Sequence, residues 1–222
     1  MRRSLPPPDC GGKLRDVANP SEKQPRVAVD GVVLAAGAST RMGSAKSSLE
    51  VDGTTFMTRA VKALRDGGCR DVIAVIGPDN GPAGAAASQA GARVVMNVAR
   101  DSEQIDSLRL AIRNLDPGAV AIAVLPVDHP LASAATTDAV IRAWAAARAP
   151  IARPTYAGVA GHPTVFAAEL FDELLHGKLP EGARSVVAAH AAELLDVEVP
   201  DPGVTADIDT PDDYRRLVGE DR

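Results

Sequence analysis

Short apolar runs alternate along the chain with segments in which apolar residues recur every three or four positions. The runs are typical of buried β-strands, and they cover Val29–Ala35, Asp71–Ile76, Arg93–Met96 and Val120–Leu125. The segments between them predict amphipathic helices at Thr55–Asp66, Ala83–Ala90, Gln104–Asn114 and Ala134–Arg148. Strands that alternate with helices indicate βαβ units, and therefore a mostly parallel sheet with right-handed crossovers.

The second half of the chain has a less regular pattern. An extended segment and a glycine turn lead to a predicted strand at Pro163–Phe166, and a last strand is predicted at Leu195–Val199. Helices are predicted at Ala168–Leu175 and Ala183–Leu194, and a final one after Thr210, which is a good N-cap before a proline. The whole pattern predicts an α/β fold with a three-layer, Rossmann-like and mostly parallel sheet flanked by helices.

The first 25 residues lack this periodicity and are rich in proline, glycine and charge. We expect residues 1–25 to form a disordered N-terminal tail and residues 26–222 to form a single domain. Apolar residues make up 45% of the chain but aromatic residues only 3%, so the core is expected to consist of aliphatic side chains, as in a parallel sheet covered by helices.

Charge and cysteine content narrow the class of protein. The formal net charge of -5 argues against general nucleic-acid binding, and no apolar run is long enough for a membrane span. Two cysteines, Cys10 and Cys69, are too few for a disulfide framework. We therefore expect a cytoplasmic protein that binds neither nucleic acid nor membrane.

The loop after the first predicted strand carries the first candidate chemistry. It belongs to the stretch GVVLAAGASTRMGSAKSSL, which runs from Gly31 to Leu49. Its glycine spacing fits neither a Walker A loop nor a G-x-G-x-x-G dinucleotide loop. Gly37 and Gly43 free backbone N–H groups, and the cations Arg41 and Lys46 suit a triphosphate. On these residues alone, the alternative of a surface loop with solvated cations is slightly favoured.

Asp128 is the second candidate, because it follows an apolar strand where packing has no use for a carboxylate. Ligands of open α/β sheets bind at the carboxyl ends of the strands. Mg²⁺ is commonly held there by one or two carboxylates together with phosphate oxygens. The alternative is a turn-forming aspartate before Pro130.

Several motifs, taken together, resemble one family. The opening loop is similar to the signature L-A-A-G-x-S-x-R-M-G-x-x-K of the MobA-like nucleotidyltransferases, and it looks most like their molybdenum cofactor cytidylyltransferase branch. The resemblance continues in order through DSLRLAI, LPVDHPL, AGHPTVF, EGARSVV and DIDTPDDY, so that it covers roughly residues 31 to 217.

The resemblance implies a fold of the nucleotide-diphospho-sugar transferase type and a Mg²⁺-dependent reaction. A nucleoside monophosphate would pass from an NTP to a phosphorylated acceptor, which in this branch is molybdopterin, with release of pyrophosphate. The Ala35-Ala36 pair favours CTP, because guanylyl enzymes of the family tend to carry glycines there. An enzyme that accepts the finished cofactor would be a partner. The alternatives are GTP as donor, a sugar- or polyol-phosphate acceptor, or a non-catalytic nucleotide sensor or cofactor chaperone.

The resemblance also assigns roles to residues. The catalytic residues would be Arg41, Lys46 and Asp128, and the first two would also bind the nucleotide together with the backbone of Leu34, Ala35, Ala36 and Gly37. Asp128 and Asp209 would hold the metal, with Asp207 as a substitute for the latter, and His162 and Arg184 would contact the acceptor. Read without the family, Asp207 and Asp209 could be turn residues, His162 structural, and Arg184 part of a surface ion pair.

The chain departs from the family pattern at a few positions. Ser47 and Ser48 follow the lysine where apolar residues are common, and His129 replaces the usual glutamine after the aspartate. Asp106 stands before the Ser-Leu pair, where it would add a carboxylate facing the anionic site.

Overall fold

The computed structural model describes residues 27–37, 46–99 and 102–219. The predicted tail at residues 1–25 lies outside the described residues, and so does Arg41 of the opening loop.

The described residues are organised around one large β-sheet. Its neighbouring strands follow the order β10-β7-β9-β6-β1-β4-β5, β8 pairs with β7, and β2 and β3 form a separate hairpin. The strands are β1 Val29–Ala35, β2 Glu50–Val51, β3 Thr54–Thr55, β4 Val72–Ile76, β5 Arg93–Met96, β6 Ala121–Pro126, β7 Ile151–Tyr156, β8 Val159–Ala160, β9 Thr164–Ala167 and β10 Leu194–Glu198.

Strand β1 lies inside the sheet, and its two neighbours determine which edge of the sheet is expected to bind a ligand. It pairs in parallel with β4 on one side and β6 on the other, and every one of its residues is buried. Strand β9 runs antiparallel to both β6 and β7, which makes the sheet mixed but mostly parallel. The carboxyl ends of β1, β4 and β6 consequently meet at one edge, the position at which such sheets bind ligands.

Helices cover both faces of the sheet. They are α1 Phe56–Asp66, α2 Gly81–Gln89, α3 Gln104–Arg113, α4 Ala134–Ala147, α5 Phe171–His176, α6 Ala183–Ala189 and α7 Pro211–Val218. Helices α1, α2 and α4 share one apolar core with alternate residues of β1, and α3, α5 and α6 share the other core with the remaining residues of that strand. The predicted three-layer α/β fold is confirmed.

Amphipathic spacing identified the buried faces of the helices correctly. Phe56, Ala60 and Leu64 of α1 are all buried, and so are Ile105 and Leu108 of α3. Burying an aliphatic or aromatic side chain stabilises a fold by roughly 1.5–3 kcal/mol, so these stripes fasten each helix to the sheet.

Two local predictions differ from the structure. Helix α6 ends at Ala189 rather than continuing to Leu194, because Leu194 pairs with Ile151 as the first residue of β10. The β2–β3 hairpin was not predicted, since strands of two residues are too short to show an alternating pattern. Within the described ranges, no helix combines the length and the apolar character needed to cross a lipid bilayer.

Candidate active site

A pocket opens at the carboxyl ends of β1 and β6. Its lining comprises Leu34, Ala35, Ala36, Gly37, Lys46, Ser47, Ser102, Glu103, Gln104, Ser107, Val127 and Asp128. The pocket therefore brings together the backbone segment predicted to read the base, the loop lysine and the strand-end aspartate. Arg41, the remaining predicted catalytic residue, lies outside the described residues.

Lys46 is held between two carboxylates at this edge of the sheet. Its Nζ donates a hydrogen bond to Asp209 and lies 3.5 Å from Oδ2 of Asp128. Burial leaves the lysine side chain 14% exposed and opposes its charge, but the hydrogen bond to Asp209 and the charges of both aspartates prevail and raise the pKa of Lys46. The ammonium group is thus a fixed positive charge at the pocket, and Lys46 is not a solvated surface lysine.

A backbone hydrogen bond attaches the closing segment of the chain, residues 202–210, to the end of β6. The N–H of Ile208 donates to the carbonyl of Asp128 at 2.9 Å, and the N–H of Val127 donates to the carbonyl of Leu34 at 3.1 Å, which joins the end of β6 to β1. Ile208 itself is fully buried. Its two neighbours, Asp207 and Asp209, are consequently placed beside Asp128 although about eighty residues separate them along the chain.

Asp128, His129 and Asp207 form a group that fits a divalent cation. One ligand atom from each residue can be chosen so that all three lie within 4.8 Å of one another. Oδ1 of Asp128 and Nδ1 of His129 are buried, and neither has a hydrogen-bond partner among the described residues. Burial and the charges of Asp128 and Asp209 raise the pKa of Asp207, which indicates an excess of negative charge. A cation would satisfy the buried atoms and relieve that excess.

The predicted metal pair is only partly gathered in this group. Asp128 belongs to it, whereas Asp209 accepts a hydrogen bond from Lys46 and the second carboxylate of the group comes from Asp207. Sequence reasoning did not select His129 as a ligand, since histidine spacing along the chain gave no signal. Its position directly after the strand-end aspartate was the available clue.

The ring of His129 contacts the ring of His162 at an interplanar angle of 57°. Their ring centroids lie 4.6 Å apart, and the backbone N–H of His162 donates to the carbonyl of Val204 at 3.0 Å. Burial lowers the pKa of His129, and burial together with His129 lowers the pKa of His162 to about 3. Both imidazoles are therefore neutral near pH 7, and each keeps a nitrogen lone pair for a ligand or a hydrogen bond.

Neither of the predicted acceptor residues, His162 and Arg184, lines the pocket. Arg184 occupies the first turn of α6, where it is exposed, and its charge contributes to lowering the pKa of His162.

The departures from the family pattern have local explanations. Ser47 is 2% exposed, and its hydroxyl accepts a hydrogen bond from Asn80 Nδ2 at 2.8 Å. Asp106 does not face the anionic site, which corrects the expectation above. Its carboxylate caps α3 by accepting the N–H of Glu103 at 3.0 Å, and it contacts Arg109.

Gly161 should be essential for the fit of the closing segment. A Cβ atom at this position would lie 2.4 Å from the carbonyl oxygen of Val204, which also accepts the backbone N–H of His162. We expect Gly161→Ala to destabilise the protein by about 1–3 kcal/mol, as overpacking does, in chemical denaturation. Gly81→Ala, where a Cβ meets no atom within 4 Å, is the control, and equal stability of both variants would contradict this packing.

The comparisons with known proteins agree with this geometry. The model of the MobA-like NTP transferase domain matches residues 31–194. No curated protein sequence matches the chain. Among solved structures, the chain is similar to Rv0371c from Mycobacterium tuberculosis H37Rv, with 31% identity, a TM-score of 0.76, and coverage of 86% of this chain and 98% of that one.

Two further structures are informative. Rv0371c in complex with manganese is 30% identical with a TM-score of 0.72, and the match covers 87% of this chain and 99% of that one. A nucleotidyl transferase from Methanothermobacter thermautotroptrophicus is 25% identical with a TM-score of 0.73, and the match covers 86% of this chain and 96% of that one.

The family model spans most of the chain, and its residues include the loop, the lysine and the strand-end aspartate of the pocket. The chain is a nucleotidyltransferase and belongs to the MobA-like NTP transferase family.

Proposed function

We propose that this nucleotidyltransferase transfers the CMP moiety of CTP to a phosphorylated acceptor of the molybdopterin type, with Mg²⁺ as its metal ion and release of pyrophosphate. The observation that carries the proposal is the pocket in which Leu34–Gly37, Lys46 and Asp128 meet at the carboxyl edge of the sheet. Its lining includes the backbone and small side chains of Ala35, Ala36 and Gly37, which suit a flat base. It also includes the opposite charges of Lys46 and Asp128, which suit a metal-bound triphosphate.

The reaction requires little covalent chemistry from the protein. A phosphate oxygen of the acceptor is already an anionic nucleophile, and it attacks the α-phosphorus in line while the bond to pyrophosphate breaks. Catalysis is then mainly positioning and neutralisation of charge. Lys46 supplies a fixed positive charge for the phosphates, with its position set by Asp128 and Asp209. Arg41 is proposed as a second cation from the same loop.

The metal ion would be held by Asp128 with Asp207 or Asp209. Their carboxylate oxygens are the ligand type that Mg²⁺ prefers. When bound, the ion would neutralise charge on the phosphates. A nitrogen ligand from His129 would add affinity for a transition metal such as Mn²⁺, since imidazole suits softer ions than Mg²⁺. The manganese in the mycobacterial structure belongs to that protein, and it makes Mn²⁺ a useful probe here.

The acceptor is assigned to the side of the pocket where the histidines lie. The ring of His162 contacts the tilted ring of His129, which directly follows Asp128, so a ligand beside His162 would be near the reacting phosphate. Arg184 contributes to the electrostatic environment of His162, and helps to lower its pKa, although burial and His129 are the larger causes. We retain both residues as acceptor contacts, with Arg184 acting from the rim.

CTP should bind more tightly than GTP. Ala35 and Ala36 line the pocket at positions where the guanylyl enzymes that the family includes tend to carry glycines. Isothermal titration calorimetry with Mg²⁺ should show a preference for CTP of about tenfold or more, which corresponds to roughly 1.4 kcal/mol. Equal affinities, or tighter GTP binding, would contradict the donor assignment while leaving the enzyme class standing.

The acceptor is tested by a screen for pyrophosphate release. Each of the four NTPs is incubated with Mg²⁺ and with molybdopterin, a sugar phosphate or a polyol phosphate in turn. The proposal predicts release with CTP and molybdopterin well above every other pair. Release with a sugar or polyol phosphate instead would replace the acceptor, and release with GTP alone would replace the donor.

A further inference from the structure

Asn97 connects two serine hydroxyls at the pocket to the end of β5. Its Nδ2 donates to Oγ of Ser102 and to Oγ of Ser107, each at 3.0 Å. Asn97 and Ser107 are both buried, with exposed fractions of 7% and 2%. Ser102 and Ser107 line the pocket, whereas Asn97 does not. The asparagine can therefore affect a ligand only through the serines.

The orientation of the Asn97 amide is fixed by the backbone. Its Oδ1 accepts a hydrogen bond from the N–H of Ala99 at 3.2 Å, and a backbone N–H can only donate. The carbonyl side of the amide must point to Ala99, so the NH₂ side points to the serines. The backbone N–H of Asn97 also donates to the carbonyl of Ile76 at 2.8 Å, which anchors the residue to the sheet.

This orientation determines the polarity of both serines. A hydroxyl that accepts a hydrogen bond from an NH₂ group keeps its own proton for another acceptor. In the described part of the chain, neither hydroxyl has a second side-chain partner besides Asn97. Their protons are thus available to a ligand in the pocket, and this wall of the pocket offers two neighbouring hydrogen-bond donors.

The serines and the lysine approach the pocket from opposite faces of the sheet. Ser107 lies in α3, which belongs to the apolar core that contains Val32 and Leu34. The turn that carries Lys46 contacts α1 and α2, which belong to the other core. A nucleotide whose phosphates reach Lys46 would therefore direct its base toward the serine side.

We propose that Asn97 is a positioning residue for base selection, which makes Ser102 and Ser107 hydrogen-bond donors to adjacent acceptor atoms of the base. The O2 and N3 atoms of cytosine are two such neighbouring acceptors. Guanine presents N1–H and an amino group on the corresponding edge, and these donors would meet donors. The inference rests on the proposed use of CTP and adds the residue that enforces this choice.

The test is the nearly isosteric change Asn97→Asp. The carboxylate still accepts from Ala99, but its second oxygen also accepts, so the serines must turn their protons toward it and away from the pocket. CTP affinity should fall, and the ratio of GTP to CTP affinity should rise by about tenfold for each hydrogen bond reversed. Calorimetry with Mg²⁺ and each nucleotide measures the ratio. The added charge repels both triphosphates equally and cancels from it.

Asn114→Asp is the matched control. Asn114 is exposed at the other end of α3, where its side chain donates to the carbonyl of Leu110, so the same change of charge should leave the ratio unaltered. Ser107→Ala gives a second measurement that does not depend on the folding of Asn97→Asp. It should weaken CTP about tenfold and GTP much less.

The outcomes separate this inference from the proposed function. If the wild type binds CTP, two results would overturn the role of Asn97 alone. One is an unchanged ratio of GTP to CTP affinity in Asn97→Asp, and the other is an equal loss of affinity for both nucleotides in Ser107→Ala. A wild type that binds no NTP would overturn the proposed function and the inference with it. A shift of the ratio toward GTP in Asn97→Asp, absent from Asn114→Asp, supports the role.

Discussion

Asp128→Asn is expected to abolish nucleotidyl transfer while the fold remains intact. The change is nearly isosteric, but it removes the negative charge next to Lys46 and replaces the unpartnered buried oxygen with a poor ligand for a hard cation. Loss of a single preorganised electrostatic group typically costs about 10²–10³ in rate, and weakened metal binding should add to this. Pyrophosphate release from CTP in the presence of the acceptor measures the effect.

The stability of the same variant provides an internal check. Asp128, Asp207 and Asp209 repel one another, and burial with that repulsion raises the pKa of Asp207. Relief of this repulsion is offset by loss of the contact between Asp128 and Lys46, so thermal unfolding of Asp128→Asn should occur close to the wild-type temperature. Asp138→Asn, which changes an exposed carboxylate paired with Arg142 on α4, is the matched control and should retain full activity. Turnover of Asp128→Asn within a few-fold of wild type would show that Asp128 is a turn residue and has no catalytic role.

Lys46→Met is expected to weaken CTP binding strongly and to slow transfer. Methionine preserves much of the side-chain length, but the two carboxylates around Nζ lose their counter-charge and the triphosphate loses a fixed cation. Hydrogen bonds to charged groups contribute about 1.5–3 kcal/mol each, so a ten- to hundred-fold loss of CTP affinity is a reasonable expectation. Calorimetry measures the affinity, and pyrophosphate release measures the rate.

The lysine variant should also show a characteristic response to metal. Without Lys46 the carboxylates face one another uncompensated, and a divalent cation can take its place. Mn²⁺ should raise the unfolding temperature of Lys46→Met by more than that of wild type, whereas Lys62→Met on the exposed side of α1 should respond as wild type does. Equal responses in all three proteins, with normal CTP binding, would show that Lys46 is peripheral to the site.

The framework of the fold could be predicted from the sequence because its elements carry strong local patterns. Strand β1 was predicted with its observed bounds, because its apolar run stops abruptly where the glycine-containing loop begins. The end of α6 was wrong because the alanine-rich segment favours a helix by propensity, while pairing of Leu194 with β7 extends the sheet instead. Such a choice depends on a strand that is distant in sequence.

Individual residues of the site could be predicted from the sequence, but the contacts between them could not. Lys46 and Asp128 each had a local reason to be selected, namely a glycine-rich loop and a strand end. That Lys46 contacts Asp209, and that Asp207 and His129 complete the group around Asp128, depends on how the closing segment folds back onto β6. The supporting role of Asn97 was also missed, because a single asparagine after a strand has no distinctive pattern.

The most direct test of the account follows the α-phosphate of CTP. CTP labelled at the α-phosphorus is incubated with the wild-type protein, Mg²⁺ and molybdopterin, and both products are quantified. The account predicts that the label appears on the acceptor in equal amount to the pyrophosphate released, and that both products vanish with EDTA and in Asp128→Asn. Label recovered only as free CMP, or transfer that persists in Asp128→Asn, would contradict it.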